Sequence, residues 1–166
     1  KISCCILTRD DESTLRACLE SIRPHVQEIC IVDTGSSDSS PAIGREFADK
    51  WELFLGCNDR DGLIEDFAMA RNHSFSLATG DWVIWLDSDD VIRGAEHLRE
   101  LAEMATADNH AYLFPYEYAR DGAGNVTCLQ YRERLMRPPS AWRWQSPVHE
   151  YCSIQGEPAG STLTVA

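Results

Sequence analysis

The chain has 166 residues, a hydrophobic fraction of 43% and a formal net charge of −12. This composition is typical of one globular domain and excludes an intrinsically disordered chain. The acidic balance argues against a nucleic-acid partner, because nucleic-acid phosphates require a basic surface.

Strand and helix patterns alternate in the first half of the chain. Apolar runs at residues 2–7, 28–32 and 82–86 predict buried strands, and a shorter run at 52–55 predicts another. Apolar residues at helical spacing predict helices near residues 15–22, from Ser40-Pro41 onward, and from Ile64 to Ala78. Parallel strands need crossover connections, so this order predicts an α/β domain with a mostly parallel sheet flanked by helices.

The pattern changes after residue 94. A helix at about residues 95–105 is followed by an extended run at 112–118, a turn at 121–125 and a second extended run that ends at Met136. Two extended runs around a glycine-containing turn predict a β-hairpin. We therefore expect an antiparallel or mixed sheet in this second half.

The apolar run at 82–86 ends abruptly in the carboxylates of Asp87, Asp89 and Asp90. If the extended conformation continues, Asp87 and Asp89 project from one side of the strand. This is the carboxyl end of a strand, where open α/β sheets bind ligands. Because neighbouring carboxylates repel each other, a site that keeps them ionised is expected to hold a divalent cation.

Two further polar loops, at residues 8–12 and 33–38, follow other strands of the predicted parallel sheet. All three loops are expected at one edge of the sheet and predict a pocket there. The alternative, strongest for Asp38 and also open for Asp33, is that these residues only end strands and cap helices.

The seven cysteines are odd in number and include no Cys-x-x-Cys pair. Cys4, Cys5, Cys18 and Cys30 lie in apolar runs, where free cysteine packs as a small hydrophobic residue. We expect reduced thiols and a cytoplasmic protein, either free or peripheral to the inner membrane. The sequence contains no signal peptide and no run long enough for a membrane span.

Four ordered segments resemble the family 2 glycosyltransferases with the GT-A fold. These are ILTRDDE at 6–12, IVDTGSSD at 31–38, FAMARN at 67–72 and GDWVIWLDSDD at 80–90. A fainter match, WRWQSPVHE at 142–150, is similar to a bacterial branch in which some members carry helical repeats after the domain. The resemblance implies one GT-A (Rossmann-like) domain over residues 1–166 that continues beyond the last residue. Its nucleotide-sugar-binding half would be 1–94 and its acceptor-side half 95–166.

The resemblance implies a metal-dependent, inverting hexosyltransferase with a nucleotide-diphosphate sugar as donor, and UDP-sugar is the expected one. The acceptor stays open among a glycan, a lipid-linked glycan and a peptide. By resemblance, the nucleotide-binding residues are Thr8, Arg9, Asp33, Arg71 and Asp87. Thr8 and Asp33 would hold the base, and Arg71 would approach the base or the diphosphate. A structural ion pair under the sheet is the alternative for Arg71.

The metal ligands implied by the resemblance are Asp89 and, beside it, Asp87, with His149 as a further candidate. Mg²⁺ or Mn²⁺ suits an all-oxygen site, and ligation by His149 would favour Mn²⁺. The cation is needed because the diphosphate leaving group develops negative charge.

Inversion requires a base that takes the proton of the acceptor. Glu150 is the candidate base, and His149 is a candidate contact to metal or phosphate; an ordinary surface pair is the alternative for both. The family often uses a Glu-Asp pair, which does not occur after residue 90, so the base stays open. Further carboxylates in this half are Glu117, Asp121 and Glu133.

Trp142 and Trp144 are two residues apart and share one side of any strand. They could stack on a sugar ring, but packing in the core is the commoner role of tryptophan.

Other functions fit the sequence less well. A phosphatase of the haloacid dehalogenase type needs a downstream lysine, and no lysine follows Lys50. A calcium loop would need further spaced ligands and a glycine after Asp89, and a nucleotidyltransferase would need a Gly-rich, lysine-bearing first loop. A sugar-nucleotide-binding module without catalytic activity stays open as the non-enzyme alternative.

Overall fold

The computed structural model describes residues 1–107, 109–137 and 139–154, and the backbone of residues 164 and 165. Its strands are β1 (Ile2–Thr8), β2 (Glu28–Asp33), β3 (Lys50–Leu53), β4 (Trp82–Asp87), β5 (Ala111–Arg120), β6 (Val126–Met136), β7 (Trp142–Gln145), β8 (Tyr151–Ile154) and β9 (Thr164–Val165). Its α-helices are α1 (Leu15–Ile22), α2 (Ser40–Phe47), α3 (Phe67–Leu77) and α4 (Leu98–Met104). Short 3₁₀ helices lie at Arg23–His25, Ala95–His97 and Pro139–Ala141.

One mixed sheet contains strands from both halves of the chain. Its order is β3-β2-β1-β4-β6-β5-β9. Strands β1 to β4 run parallel, β6 runs antiparallel to its neighbours β4 and β5, and β9 runs parallel to β5. Strands β7 and β8 form a separate antiparallel pair. The predicted parallel first half and mixed second half are therefore confirmed.

Side-chain alternation along the central strands buries apolar residues on both faces of the sheet. On one face, Ile6 and Ile84 belong to a core cluster that includes residues of α1 and α4. On the other face, Trp85 clusters with Phe75 of α3 and Trp144 of β7. Helix α3 and strand β7 therefore cover the face from which Trp85 projects.

Several predicted boundaries differ from the structure. The helix predicted from Ile64 begins at Phe67, because the Asp66 side chain accepts a hydrogen bond from the Met69 N–H at 2.8 Å and caps it. The strand predicted at 52–55 lies at residues 50–53, where it pairs with β2. The helix predicted at 95–105 opens with a 3₁₀ turn before α4.

The seven cysteines are free, and five of them, including the four in apolar runs, are buried. Among the described residues, no helix has the length and hydrophobicity needed to cross a membrane.

Candidate functional site

The carboxyl ends of three adjacent parallel strands meet at one edge of the sheet. The local order is β2-β1-β4, and the register places Thr8 beside Asp33 and Leu7 beside Asp87. The structure therefore brings Thr8, Asp33 and Asp87 to nearly the same level of this edge. Open α/β sheets bind their ligands at this position.

Asp11 connects the loop after β1 to the loop after β4. Its Oδ2 accepts hydrogen bonds from Thr8 Oγ1 at 3.1 Å, the Arg9 N–H at 2.8 Å and Ser88 Oγ at 2.6 Å. The sequence marked this loop as polar but assigned no role to Asp11, because Ser88 lies 77 residues further along the chain. Asp11 therefore shapes the edge that carries Thr8.

Asp33 is 3% exposed and shapes the loop after β2. Its Oδ1 accepts hydrogen bonds from the N–H groups of Gly35 at 3.0 Å and Ser36 at 2.8 Å. Gly35 has a φ of 113°, in the region that favours glycine. In the part of the chain that is described, Asp33 Oδ2 accepts no hydrogen bond. This oxygen is thus available to an N–H donor of a ligand.

Arg9 and Asp38 are held by contacts within these loops. Arg9 is half-buried, and its Nη1 donates to the carbonyl oxygen of Thr34 at 3.2 Å. Asp38 accepts hydrogen bonds from the N–H groups of Ser40 at 2.9 Å and Glu12 at 3.0 Å. These contacts support the interpretation of Asp38 as a residue that ends a loop and begins a helix.

Arg71 of α3 lies between two indole rings and two carboxylates. Its guanidinium carbon is 4.5 Å from the ring centroid of Trp85 and 5.0 Å from that of Trp144. Its Nη2 donates to Asp87 Oδ1 at 2.6 Å, and its Nε donates to Glu150 Oε1 at 2.8 Å. The side chain is 9% exposed. The structure thus contains the ion pair considered for Arg71, and its two partners are themselves predicted site residues.

The same contacts set the protonation of this cluster. Burial alone would lower the pKa of Arg71, but the charges and hydrogen bonds of Asp87 and Glu150 outweigh burial and raise that pKa. Burial alone would raise the pKa of Asp87, but Arg71 and Arg134 outweigh burial, and the pKa of Asp87 is lower than usual. Asp87 is therefore ionised at neutral pH.

A second buried arginine, Arg134 of β6, was not identified from the sequence. Its Nη2 lies 3.0 Å from Asp90 Oδ2 and 3.7 Å from Asp87 Oδ2, and its Nη1 donates to the Trp85 carbonyl oxygen at 3.1 Å. Its guanidinium carbon lies 3.8 Å from the Trp85 ring centroid. One chemical argument could have indicated such a residue. Partly buried carboxylates need a cation beside them, so an arginine from a distant part of the chain is expected there.

The chain does not stay extended after β4. The strand ends at Asp87, the Asp90 N–H donates to the Asp87 carbonyl oxygen at 3.0 Å, and the Asp87 N–H donates to Asp90 Oδ2 at 3.0 Å. The expectation that Asp87 and Asp89 project from one side of a continuous strand is therefore wrong. The turn lets Asp90 reach Arg134, whereas Asp89 is exposed and accepts no hydrogen bond from any described residue.

The predicted metal ligands Asp87, Asp89 and His149 do not form a three-ligand set. Within the described ranges, no group of three or more His, Cys, Asp or Glu side chains is placed to hold a metal ion. His149 is exposed and has a φ of 55°. The exposed carboxylate of Asp89 nevertheless fits a cation such as Mg²⁺, which is commonly held by one or two carboxylates together with substrate phosphates.

The segment that carries Glu150 is attached to α3. Asn72 Nδ2 donates to the Trp144 carbonyl oxygen at 3.0 Å, and the Trp144 N–H donates to Asn72 Oδ1 at 2.9 Å. The Phe67 N–H donates to the Pro147 carbonyl oxygen at 2.9 Å. Together with the Arg71–Glu150 contact, these bonds place Glu150 beside Asp87.

Both tryptophans of β7 pack in the core. Trp142 and Trp144 share one side of the strand and are 5% and 2% exposed. They belong to the cluster that covers the α3 face of the sheet. The core interpretation therefore holds for both, and Trp144 in addition forms one wall around Arg71.

The other carboxylates considered as a base lie in the hairpin formed by β5 and β6. Glu117 forms an ion pair with Arg120. Asp121 accepts hydrogen bonds from the N–H groups of Ala123 and Asn125, both at 2.9 Å, and so holds the hairpin turn. Glu133 lies on β6 and pairs in register with Leu113 of β5.

A cleft of about 590 Å³ opens beside the turn after β4. Asp89, Asp90 and Arg134 line it together with Glu117. Much of the remaining wall is apolar and comes from the segment after β4, from α4 and from the hairpin, with Val91, Ile92, Leu101, Phe114 and Leu129. A cleft of this volume is in the usual range for a small-molecule site.

Comparisons with known proteins identify the family. A profile of the family described as Glycosyl transferase family 2 matches residues 3–153. Among curated proteins, a TPR repeat-containing protein of Synechococcus elongatus is 33% identical over 152 residues, which cover 90% of this chain. The chain spans 35% of the length of that relative.

Two solved structures share the fold. TarS of S. aureus (residues 1–349) in complex with UDP-GlcNAc aligns with a TM-score of 0.51 and 24% identity, over 62% of this chain and 30% of that one. Glucosyl-3-phosphoglycerate synthase from Mycobacterium tuberculosis, in complex with Mn²⁺, UDP and glucosyl-3-phosphoglycerate, aligns with a TM-score of 0.51 and 18% identity, over 68% and 42%. The predicted GT-A fold is confirmed, and because the family profile covers most of its length, the chain belongs to glycosyl transferase family 2.

Proposed function

We propose that this domain is a metal-dependent, inverting glycosyltransferase that transfers a hexose from a UDP-sugar to an acceptor nucleophile. The observation that carries the proposal is the meeting of Thr8, Asp33 and Asp87 at the ends of three adjacent parallel strands. Membership of the family supports the reaction class. The UDP and UDP-GlcNAc bound to the two neighbouring structures support the donor.

The base of the donor is proposed to lie against Asp33 and Thr8. The available Oδ2 of Asp33 can accept the imide N–H of uracil, a contact that cytosine cannot offer. Arg9, in the loop after β1, contacts the nucleotide from the same side. Arg71 is proposed to approach the base or the diphosphate. Its guanidinium would then be shared between the ligand and its present partners, Asp87 and Glu150.

The cation is proposed to bind at Asp89, with Asp87 beside it and His149 as a further candidate ligand. A bound Mg²⁺ or Mn²⁺ neutralises the charge that develops on the diphosphate leaving group. The Mn²⁺ in the neighbouring synthase structure supports this choice.

The acceptor is proposed to enter through the cleft lined by Asp89 and Glu117. Its hydroxyl, or another nucleophile, attacks the anomeric carbon as the bond between that carbon and the diphosphate oxygen breaks. The proton passes to Glu150, the candidate base, and such proton transfer typically contributes ~10²–10⁴-fold to the rate. Oε1 of Glu150 is bound by Arg71, and Oε2 accepts no hydrogen bond from the described residues.

The Arg71–Glu150 ion pair also favours a second candidate function, a sugar-nucleotide-binding module without transfer activity. The Glu150 oxygen that accepts the hydrogen bond from Arg71 Nε is occupied by that contact and is not free to take a proton from an acceptor. The two candidates differ in donor turnover: a binding module leaves the UDP-sugar intact, whereas a transferase releases UDP when an acceptor or water attacks.

A cytoplasmic location is part of the proposal and is supported by the seven free cysteines, which are typical of a reducing compartment.

A thermal-shift comparison of nucleotide sugars tests the donor. We expect UDP-sugars with Mn²⁺ to stabilise the protein more than GDP- or CDP-sugars, since stabilisation grows with ligand concentration over Kd, to ~2.7 kcal/mol at 100 times Kd. UDP-sugars without Mn²⁺ should give a smaller shift. An equal shift with every nucleotide, or no effect of Mn²⁺, would contradict the proposed donor site.

A further inference from the structure

We propose that Arg134 is a positioning residue, which holds the Asp87–Asp90 turn so that Asp89 stays exposed for the cation. The inference rests on the proposed function, because that function assigns the cation to Asp89. Arg134 lies on β6, in the half of the chain that contributes the hairpin.

Arg134 contacts the turn at three successive points. Its guanidinium binds the carbonyl oxygen of Trp85 before the turn, lies near Asp87 at the start of it and pairs with Asp90 at its end. The planar guanidinium presents five N–H donors in a rigid fork, so one side chain can serve a carbonyl and a carboxylate together. A lysine ammonium would reach fewer of these groups in a defined geometry.

The position of Arg134 follows from strand pairing. Strand β4 pairs with β6 through Val83–Met136 and Ile84–Leu135. Trp85 follows this pairing in β4, and its carbonyl oxygen accepts a hydrogen bond from the Arg134 side chain. The arginine therefore extends the connection between the strands where their regular pairing ends. It is 4% exposed and packs on the Trp85 ring, which limits its freedom to move.

Electrostatics explains why the turn needs this arginine. Asp87, Asp89 and Asp90 lie within four positions of the chain, and their charges repel one another. Arg71 pairs with Asp87 and Arg134 pairs with Asp90, so two of the three carboxylates are held inward. Without Arg134, the Asp90 carboxylate loses its cation in a largely buried position, and the turn is expected to rearrange.

Replacement of Arg134 by lysine separates positioning from charge. Arg134→Lys keeps the positive charge but loses the fork, so we expect the Mn²⁺ affinity of the protein–UDP complex to fall by ~10–100-fold, as is typical when residues that orient metal ligands are changed. UDP affinity without metal should be unchanged. Both are measured by isothermal titration calorimetry, which needs no turnover. Arg99→Lys, an exposed position on α4, is the control and should bind like the wild type.

A second variant keeps the test decisive if Arg134→Lys does not fold. Asp90→Asn removes the carboxylate partner and retains the arginine, and it should lower the Mn²⁺ affinity in the same way. Where both single variants fold, the double variant should lose little more than either one, because the two residues act as a unit. Wild-type Mn²⁺ affinity in Arg134→Lys, or in Asp90→Asn, would overturn the positioning role alone. Absence of any Mn²⁺ effect in the wild type would overturn the proposed function as well.

Discussion

The three aspartates at the carboxyl end of β4 have different surroundings at the residue level, although they are the same residue type within four positions. Asp87 is bound by Arg71 of α3, and Asp90 is bound by Arg134 of β6. Asp89 is exposed. The chemical role of each aspartate is therefore set by arginines that come from two other elements.

Asp89→Asn is expected to abolish the Mn²⁺-dependent part of nucleotide binding. The amide has no charge with which to hold a cation, and the side chain has no hydrogen bond from the described residues that the change would break. Calorimetric titration of UDP with and without Mn²⁺ measures the effect. Asp81→Asn, at the other end of β4 and exposed, is the control. Unchanged affinity of Asp89→Asn in Mn²⁺ would place the cation elsewhere.

Glu150→Gln is expected to keep donor binding but to reduce transfer by ~10²–10⁴-fold, because glutamine cannot take a proton from the acceptor. The amide oxygen can still accept the hydrogen bond from Arg71 Nε, so the local structure should persist. The measurements are the Kd of the donor and kcat for UDP release. Glu103→Gln, on the exposed side of α4, should behave like the wild type. If turnover survives in Glu150→Gln, the base is a different residue.

At the level of elements, α3 connects the two halves of the site. Phe67, Arg71 and Asn72 form hydrogen bonds with the 142–150 segment, and Phe75 packs against Trp144. Ala68, Arg71 and Phe75 are among the buried residues of this helix, whereas Phe67 is 36% exposed. The helix thus presents polar groups to β7, and the Asn72 side chain bonds to the Trp144 backbone as a neighbouring strand would.

Asn72→Ala is expected to lower the free energy of unfolding by ~1–3 kcal/mol. The change removes both hydrogen bonds to the Trp144 backbone and leaves an N–H and a carbonyl unsatisfied in a partly buried place. Urea unfolding followed by tryptophan fluorescence measures the loss. Ser76→Ala, on the exposed side of the same helix, is the control. A free energy of unfolding equal to that of the control would show that Asn72 does not hold β7.

At the level of the whole molecule, the Asp87–Asp90 turn and the buried carboxylate of Glu28 lie at opposite ends of the parallel strands. Glu28 begins β2 and is 5% exposed. It accepts hydrogen bonds from Ser3 Oγ at 2.5 Å and from the Thr79 N–H at 2.8 Å, and it lies 3.2 Å from Lys50 Nζ. Burial alone would raise the pKa of Glu28, but these hydrogen bonds hold that pKa well below its ordinary value of 4.5.

Glu28→Gln is expected to lower stability by ~2 kcal/mol at pH 7, since hydrogen bonds to a charged group are worth more than neutral ones. The folded-state pKa is lowered, so the stabilisation by ionised Glu28 is present above about pH 4.5 and is lost as the pH falls below that value. The difference between wild type and variant should therefore shrink in acid. Urea unfolding at pH 7 and at about pH 3.5 measures it, with Glu100→Gln as an exposed control. A difference that stays constant with pH would contradict this role of Glu28.

The edge that carries the site was predictable because it depends on strand order and strand ends. Thr8, Asp33 and Asp87 each follow or end an apolar run, and parallel strands bring such positions together. Asp11 and Arg134 were not assigned roles, because their partners are far away in the chain. No local pattern distinguishes Arg134 from Arg132, two positions earlier on the same strand.

Local periodicity and the ends of apolar runs determined the elements, the parallel half of the sheet and the edge at which its polar loops gather, since these features depend on neighbouring residues. The pairing of Asp87 and Asp90 with two arginines, and the exposure of Asp89, depend on β6 and α3 packing against β4. Charges separated along the chain interact strongly only when folding brings them within a few ångströms and excludes water between them. For this reason the fold could be read from the sequence, whereas the division of roles among the aspartates required the folded chain.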